Sequence, residues 1–182
     1  MPEQTFLSPE SLFVPEGPGD PRVWTCVRTK PRWEKRFADW LLSRNLPHFL
    51  PTMQRRQMHY RRERITELPL FPGYVFVADD KEKGDFRDSC SVLCVVKPHA
   101  CQVADLHVQL WNLWRGLCSG SHLELTRELQ VGNAVEIAAG PLRGVQGRFV
   151  RWTGGNRLVL KLDILGVGAA VEIPDGCVVI PA

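Results

Sequence analysis

Long apolar runs are missing from this sequence: no uncharged stretch approaches the roughly 18 residues that a membrane-spanning helix needs. The Pro- and Glu-rich start has neither the basic n-region nor the apolar h-region of a signal peptide, so a cytoplasmic protein is expected. Charge of one sign is scarce too. The formal net charge of +3 over 182 residues implies little about partners, and a nucleic-acid role has to rest on where the basic residues lie. Close cysteine pairs are absent. Cys90, Cys94, His99 and Cys101 form only a loose group, whereas zinc sites use C-x2-C pairs, so no metal is expected. The six cysteines, Cys26, Cys90, Cys94, Cys101, Cys118 and Cys177, are expected to be reduced, buried small hydrophobes. No Ser/His/Asp, paired-carboxylate or Cys/His arrangement can be located from spacing, so neither an enzyme nor a cofactor is expected.

What is present is an ordinary globular composition, 44% apolar and 24% charged, enough for one domain or two small ones. Residues 1–21 are rich in proline, glycine and acids and are expected to form a disordered tail. "VWTCVR" at Val23–Arg28 predicts a strand, and Pro31 suits the first turn of a helix. Trp33, Phe37, Trp40, Leu41 and Arg44 then lie on one stripe, with Arg32, Lys35, Arg36 and Asp39 turned away, until Asn45 and Pro47 end the helix. "HFLP" predicts a short strand, the Arg-rich Gln54–Glu67 a solvated hairpin, Leu68–Ala78 one strand, Asp79–Asp85 a loop and Ser91–Val96 another strand. Leu106, Leu110, Leu113, Trp114 and Leu117 recur at helical intervals, with Gly120 as a stop. From Val131 onward helical stripes vanish. Five short strand-like runs separated by Gly, Pro and Asn predict a small β-barrel. The expected organisation is therefore α+β: a tail (1–21), a domain (22–118) with an antiparallel sheet and two helices, a linker (119–130), and a five-stranded barrel (131–182).

Two stretches carry most information. "LPLFPGYVFV" is apolar on both faces, with Phe71, Val75 and Val77 expected on one and Leu70, Tyr74 and Phe76 on the other. One of those faces needs a partner from its own chain or another molecule. "VGNAVEIAAGPLRGVQGRFV" is glycine-rich, but it lacks the helix and the lysine-hydroxyl pair of a phosphate loop, so its glycines are expected to serve tight turns.

"VGNAVEIAAGPLRGVQGRFVRW" resembles a KOW motif of an SH3-like barrel. "WTCVRTKPRWEKRFADWLLSR" followed by "LPLFPGYVFV" resembles the amino-terminal (NGN) domain of the NusG family of transcription elongation factors, with some likeness to its specialised RfaH-like members. The resemblance implies a monomer that acts in transcription elongation, antitermination or termination. It implies that Phe71, Pro72, Tyr74 and Trp24 contact the β′ clamp helices of RNA polymerase, with the β subunit a further neighbour. It also implies that Lys30, Arg32, Lys35 and Arg36 meet non-template DNA, by phosphate contacts that salt would weaken. Leu165, Gly166 and Val167 fall in the loop through which the family's KOW domain recruits Rho or a small-subunit ribosomal protein. Leu165 and Val167 replace the usual aromatic and arginine there, which weakens the Rho assignment. Trp40 is expected in the core rather than as a base-stacking face. The competing reading is a ribosome-associated RNA-binding KOW protein that uses the Arg-rich hairpin.

Overall fold

The protein is described here by a computed structural model covering residues 12–13, 23–59, 62–78, 86–127, 132–152 and 155–182. Most of the expected tail and the whole Asp79–Asp85 loop lie outside the described residues. The chain divides into two compact units. One holds Thr25–Lys97, and the other holds Pro98–Ala182 together with Leu12, Phe13, Val23 and Trp24.

In the first unit β1 (Trp24–Thr29), β2 (His48–Phe49), β5 (Tyr74–Ala78) and β6 (Val92–Val96) form a sheet in the order β2-β5-β1-β6. Its β1–β6 and β2–β5 pairs are antiparallel. Helix α1 (Glu34–Ser43) buries Phe37, Ala38 and Leu41, which join Val27, Leu46, Leu50, Val75, Val77 and Phe86 in one core. The helix starts later than expected. Pro31 lies in a turn, Arg32 takes a left-handed φ of 66°, and Trp33 occupies the N-cap. Its end follows the sequence: Asn45 is left-handed at φ 54°, and the Leu46 N–H closes on the Leu41 carbonyl at 3.0 Å. The predicted hairpin is a separate two-stranded ribbon of β3 (Thr52–His59) and β4 (Arg62–Pro69).

The stretch expected as one strand, Leu68–Ala78, is two. β4 ends at Pro69 and β5 begins at Tyr74, with a turn at 70–73 between them. Proline without a ladder donor and Gly73 at φ 86° make that break. The turn also resets the alternation. Phe71 does not share a face with Val75 and Val77; its ring meets Phe76 edge-on at 6.3 Å.

The second unit is organised differently. Six strands run in the order β12-β8-β9-β10-β11-β7, with β8 (Asn133–Ala139), β9 (Gln146–Trp152), β10 (Gly155–Leu162), β11 (Val167–Glu172) and β12 (Val178–Pro181) at the five expected places. The sixth, β7 (Leu123–Thr126), comes from the segment expected as a linker and pairs with β11. The expected five-stranded closed barrel is thus a six-stranded sheet whose ladder keeps two edges, β12 and β7. Helix α2 (Val103–Cys118), expected to complete the first domain, groups with this sheet. At Gly116 the helix comes so close that a Cβ would lie 3.1 Å from Leu160 and 3.6 Å from Leu123. Polar contacts fix its rotation. The Gln109 amide donates to Asp163 at 2.7 Å and accepts the Asp163 N–H at 2.9 Å, while Asn112 accepts the Gln146 N–H and Arg115 donates to the Pro141 carbonyl.

An aromatic stack completes this unit. Trp24 donates its indole N–H to His107 Nδ1 at 2.8 Å, and Phe13 lies parallel to Trp24 at 5.5 Å and beside Trp114 at 5.7 Å. Leu12 and Phe13 are buried, so the expected tail contributes at least this anchor to the fold. Burying one phenylalanine is worth about 2–3 kcal/mol, enough to hold a short segment against its chain entropy.

Candidate functional site

The turn Phe71–Tyr74 is held by backbone bonds to two other elements. The Gly73 carbonyl accepts the Thr29 N–H at 2.8 Å, at the end of β1, and the Gly73 N–H donates to the Glu34 carboxylate at 2.7 Å, in the first turn of α1. Glu34 is buried, and the Leu70 N–H is bonded to the Pro51 carbonyl at 2.8 Å. A glycine at positive φ is what lets the backbone approach the carboxylate with no side chain between them. This clamp joins two stretches that stand about forty residues apart in the sequence: the Phe-Pro-Gly-Tyr turn and the basic Lys30–Arg36 segment.

The expected site residues divide by exposure. Pro72 is exposed and Tyr74 half-buried, so both present surface. Phe71 and Trp24 are enclosed: Phe71 is 2% exposed against Phe76, and Trp24 is 0% exposed, its indole N–H donated to His107. Trp24 sits at the first position of β1, where an aromatic of a central strand is covered from within the chain.

The cations are exposed as expected. Lys30 and Arg36 flank the Trp33 ring at 5.2 and 4.3 Å from its centroid, Lys35 pairs with Glu67 at 3.4 Å, and Arg32 stands exposed on its left-handed backbone. Cation–π contacts of this kind hold flexible basic side chains in a fixed spread. Trp40 is half-buried, stacked on Phe37 at 5.8 Å and covered on its other side by Arg44 at 4.0 Å, which fits its expected packing role. Sequence reasoning missed Trp33 and Glu34. Trp33 was legible only as one member of an apolar stripe. An acid in the first turn of a helix is common for dipole reasons, and nothing in the sequence ties Glu34 to Gly73.

In the second unit Leu165 and Val167 are half-buried and Gly166 is exposed at φ 63°, closing a short helical turn before β11. Asp163 at the start of this loop is clipped to α2 by Gln109 and contacted by Lys161. Along β7 a cavity of about 150 Å³ opens beside Val150, Val159 and Arg157, whose guanidinium bridges Glu124 at 2.9 Å and Glu172 at 3.5 Å.

The cysteines depart from expectation. Only Cys26 is buried, with its thiol pushed up to about 12 by burial and by nearby Cys94. Cys90, Cys94, Cys101 and Cys118 are exposed because β6 is the outer strand of its sheet and the others lie in turns or at helix ends. Among the described residues no three His, Cys, Asp or Glu side chains gather closely enough to hold a metal ion, and no helix is long and apolar enough to cross a membrane.

Residues 22–105 match a family model described as transcription termination factor NusG. The match supports NusG-family membership. In these terms the NusG-like segment runs from β1 to the first turn of α2 and contains both halves of the Gly73–Glu34 clamp. It supports a role in transcription elongation or termination and an interaction with the transcription machinery in general. No curated protein matches the chain.

Proposed function

We propose that the protein is a transcription elongation and antitermination factor of the NusG kind, working in the cytoplasm as a monomer without a reaction of its own. The surface around Pro72 and Tyr74 docks on the β′ clamp helices of RNA polymerase, and Lys30, Arg32 and Arg36 beside it meet the non-template DNA strand. The observation that supports this most is the clamp of Gly73 on Glu34 and Thr29. It presets a small apolar prominence next to a basic segment, so both contacts would form without further ordering of the backbone. By binding one polymerase conformation better than another, the factor shifts the pausing equilibrium. The loop Leu165–Val167 serves as the adaptor through which the second unit takes a partner such as a small-subunit ribosomal protein.

Retention of core RNA polymerase on the immobilised full chain tests the reading. Tyr74→Ser is expected to lower retention about tenfold, as for a half-exposed aromatic anchor, with an unchanged urea midpoint. Recovery of ribosomal subunits in place of polymerase, or unchanged retention by Tyr74→Ser, would overturn it.

A further inference from the structure

The two outer edges of the C-terminal sheet, β12 and β7, are unlike. β12 is guarded: Pro181 has no N–H to give, and a register shift between Val178 and Val179 interrupts its ladder with β8. β7 carries neither device. Its register with β11 runs unbroken from Leu123↔Val171 to Thr126↔Gly168. The Glu172 N–H donates to the His122 carbonyl at 3.4 Å, and along an antiparallel ladder residues bonded to the partner alternate with residues that face away. His122, Glu124 and Thr126 therefore turn their backbone groups to β11, whereas Leu123 and Leu125 turn theirs outward. The side chains alternate as well. Leu123 and Leu125 share the side on which Leu123 meets α2 at Gly116, but Leu123 is 4% exposed and Leu125 keeps 43%. Glu124 lies on the other side, in line with Ala170 and Val159.

We infer that the outer edge of β7 is a docking site for an extended segment of a partner protein in which apolar and basic residues alternate. The segment lies along β7 as a further strand, its main chain bonded to the outward N–H and C=O groups of Leu123 and Leu125. Its apolar residues then fall beside Leu125 and cover that side chain. Its basic residues fall on the other side, next to Glu124, where the cavity of about 150 Å³ opens over Val159 and Ala170. β11 leaves this hollow because its residues there are the small Gly168 and Ala170. The cavity is below the roughly 300 Å³ of a small-molecule site, so it suits a single side chain. A lysine fits it, with its stem on the apolar floor and its ammonium at the rim. The charges agree. Glu124 and Glu172 share one guanidinium, that of Arg157 at 2.9 and 3.5 Å, and both carboxylates stay exposed. The other cations on this side are turned elsewhere, Arg148 to the Gly132 carbonyl at 2.9 Å and Lys161 to Asp163. The edge belongs to the second unit, and docking there requires neither the polymerase surface nor the Leu165–Val167 loop.

The test is a nuclear magnetic resonance titration of the full chain with an end-blocked peptide of alternating valine and lysine. Its amide shifts are expected at Leu123 and Leu125, with half-saturation at or below about 1 mM. Valines placed beside Leu125 direct their own N–H groups to β7, and the lysines direct theirs away. Methylating the valine amide nitrogens should therefore weaken binding at least about tenfold, while methylating the lysine ones leaves it within about twofold. Replacing each lysine by glutamate should also weaken it about tenfold, and Glu124→Gln about threefold, as for loss of a cross-strand charge pair. Ile180→Ser on the β12 edge leaves affinity within about twofold, since that edge is not used. No shift at about 1 mM peptide, shifts centred on β12 or β6, equal binding of the valine-methylated peptide, or equal binding of the glutamate peptide would each overturn the inference. So would β7 shifts that grow with protein concentration in the absence of peptide, which would assign the edge to a second copy of this chain. The dispersion of the amide spectrum confirms that each variant is folded.

Discussion

Helices α1 and α2 look alike as sequence and do different jobs. Each has an apolar stripe at helical spacing, and each was expected to cover the amino-terminal sheet. α1 does so, burying Phe37, Ala38 and Leu41 into the core of the first unit and leaving its basic residues outside. α2 is buried over more of its circumference, through Leu106, His107, Leu110, Trp111, Asn112, Leu113, Trp114 and Gly116. A helix covered over so much of its surface needs partners on several sides. It finds them in the C-terminal sheet through Gly116 and in an aromatic stack through His107 and Trp114. The width of a buried stripe therefore says more about a helix's role than its presence does.

If the two helices belong to different units, damage to one should stay local. Phe37→Ala should have the largest effect, a loss of about 3–5 kcal/mol as for a buried phenylalanine. Hydrogen exchange should rise in the amides of β1 and β5 and stay near the parent level in β9 and β10. Equal acceleration in β10 would show that the units unfold together and would dissolve the distinction. Phe13→Ala should cost about 3 kcal/mol by the same cavity argument, with its exchange signature in α2. Gly116→Val should cost about 1–3 kcal/mol through overpacking against Leu160 and Leu123, read as a lower urea midpoint of β10 amides only.

The smallest effect is expected from acid. His48 is 2% exposed, donates from Nδ1 to the Leu46 carbonyl at 3.0 Å, and has its pKa lowered by burial, an effect partly opposed by that carbonyl and by Asp39. Its folded pKa lies below its unfolded value near 6.5, so below that pH the unfolded state binds more protons and stability falls as pH falls. Urea midpoints of the first unit should therefore drop between pH 7.5 and 5.5, and His48→Asn should remove part of that drop. A midpoint that rises on acidification would contradict the assignment. So would a drop seen in the second unit alone.

Much of this was legible beforehand. The stripe of α1, the stop at Asn45, the Arg-rich hairpin and the five strands after Val131 all follow from spacing and turn chemistry, because these are local signals. The candidate site was legible in part. Pro72, Tyr74 and the basic residues from Lys30 to Arg36 keep exposed surface, while Phe71 and Trp24 do not. Phe71 was misplaced because an alternation count runs straight through a turn that it cannot see. The cover that Trp24 has, Phe13 and His107, was not legible, because an aromatic at a strand start looks the same whether its own chain or another molecule covers it.

By itself the sequence determined where chain segments become helix, strand or turn, and which of their residues seek an apolar neighbour, since backbone sterics and periodicity act over a few residues. Only the tertiary structure decided which neighbour each one found: the C-terminal sheet for α2, Phe76 for Phe71, Glu34 for the Gly73 amide. Hydrophobic burial is not directional. An apolar stripe therefore specifies that it will be covered, and the choice of cover falls to the packing of the whole chain.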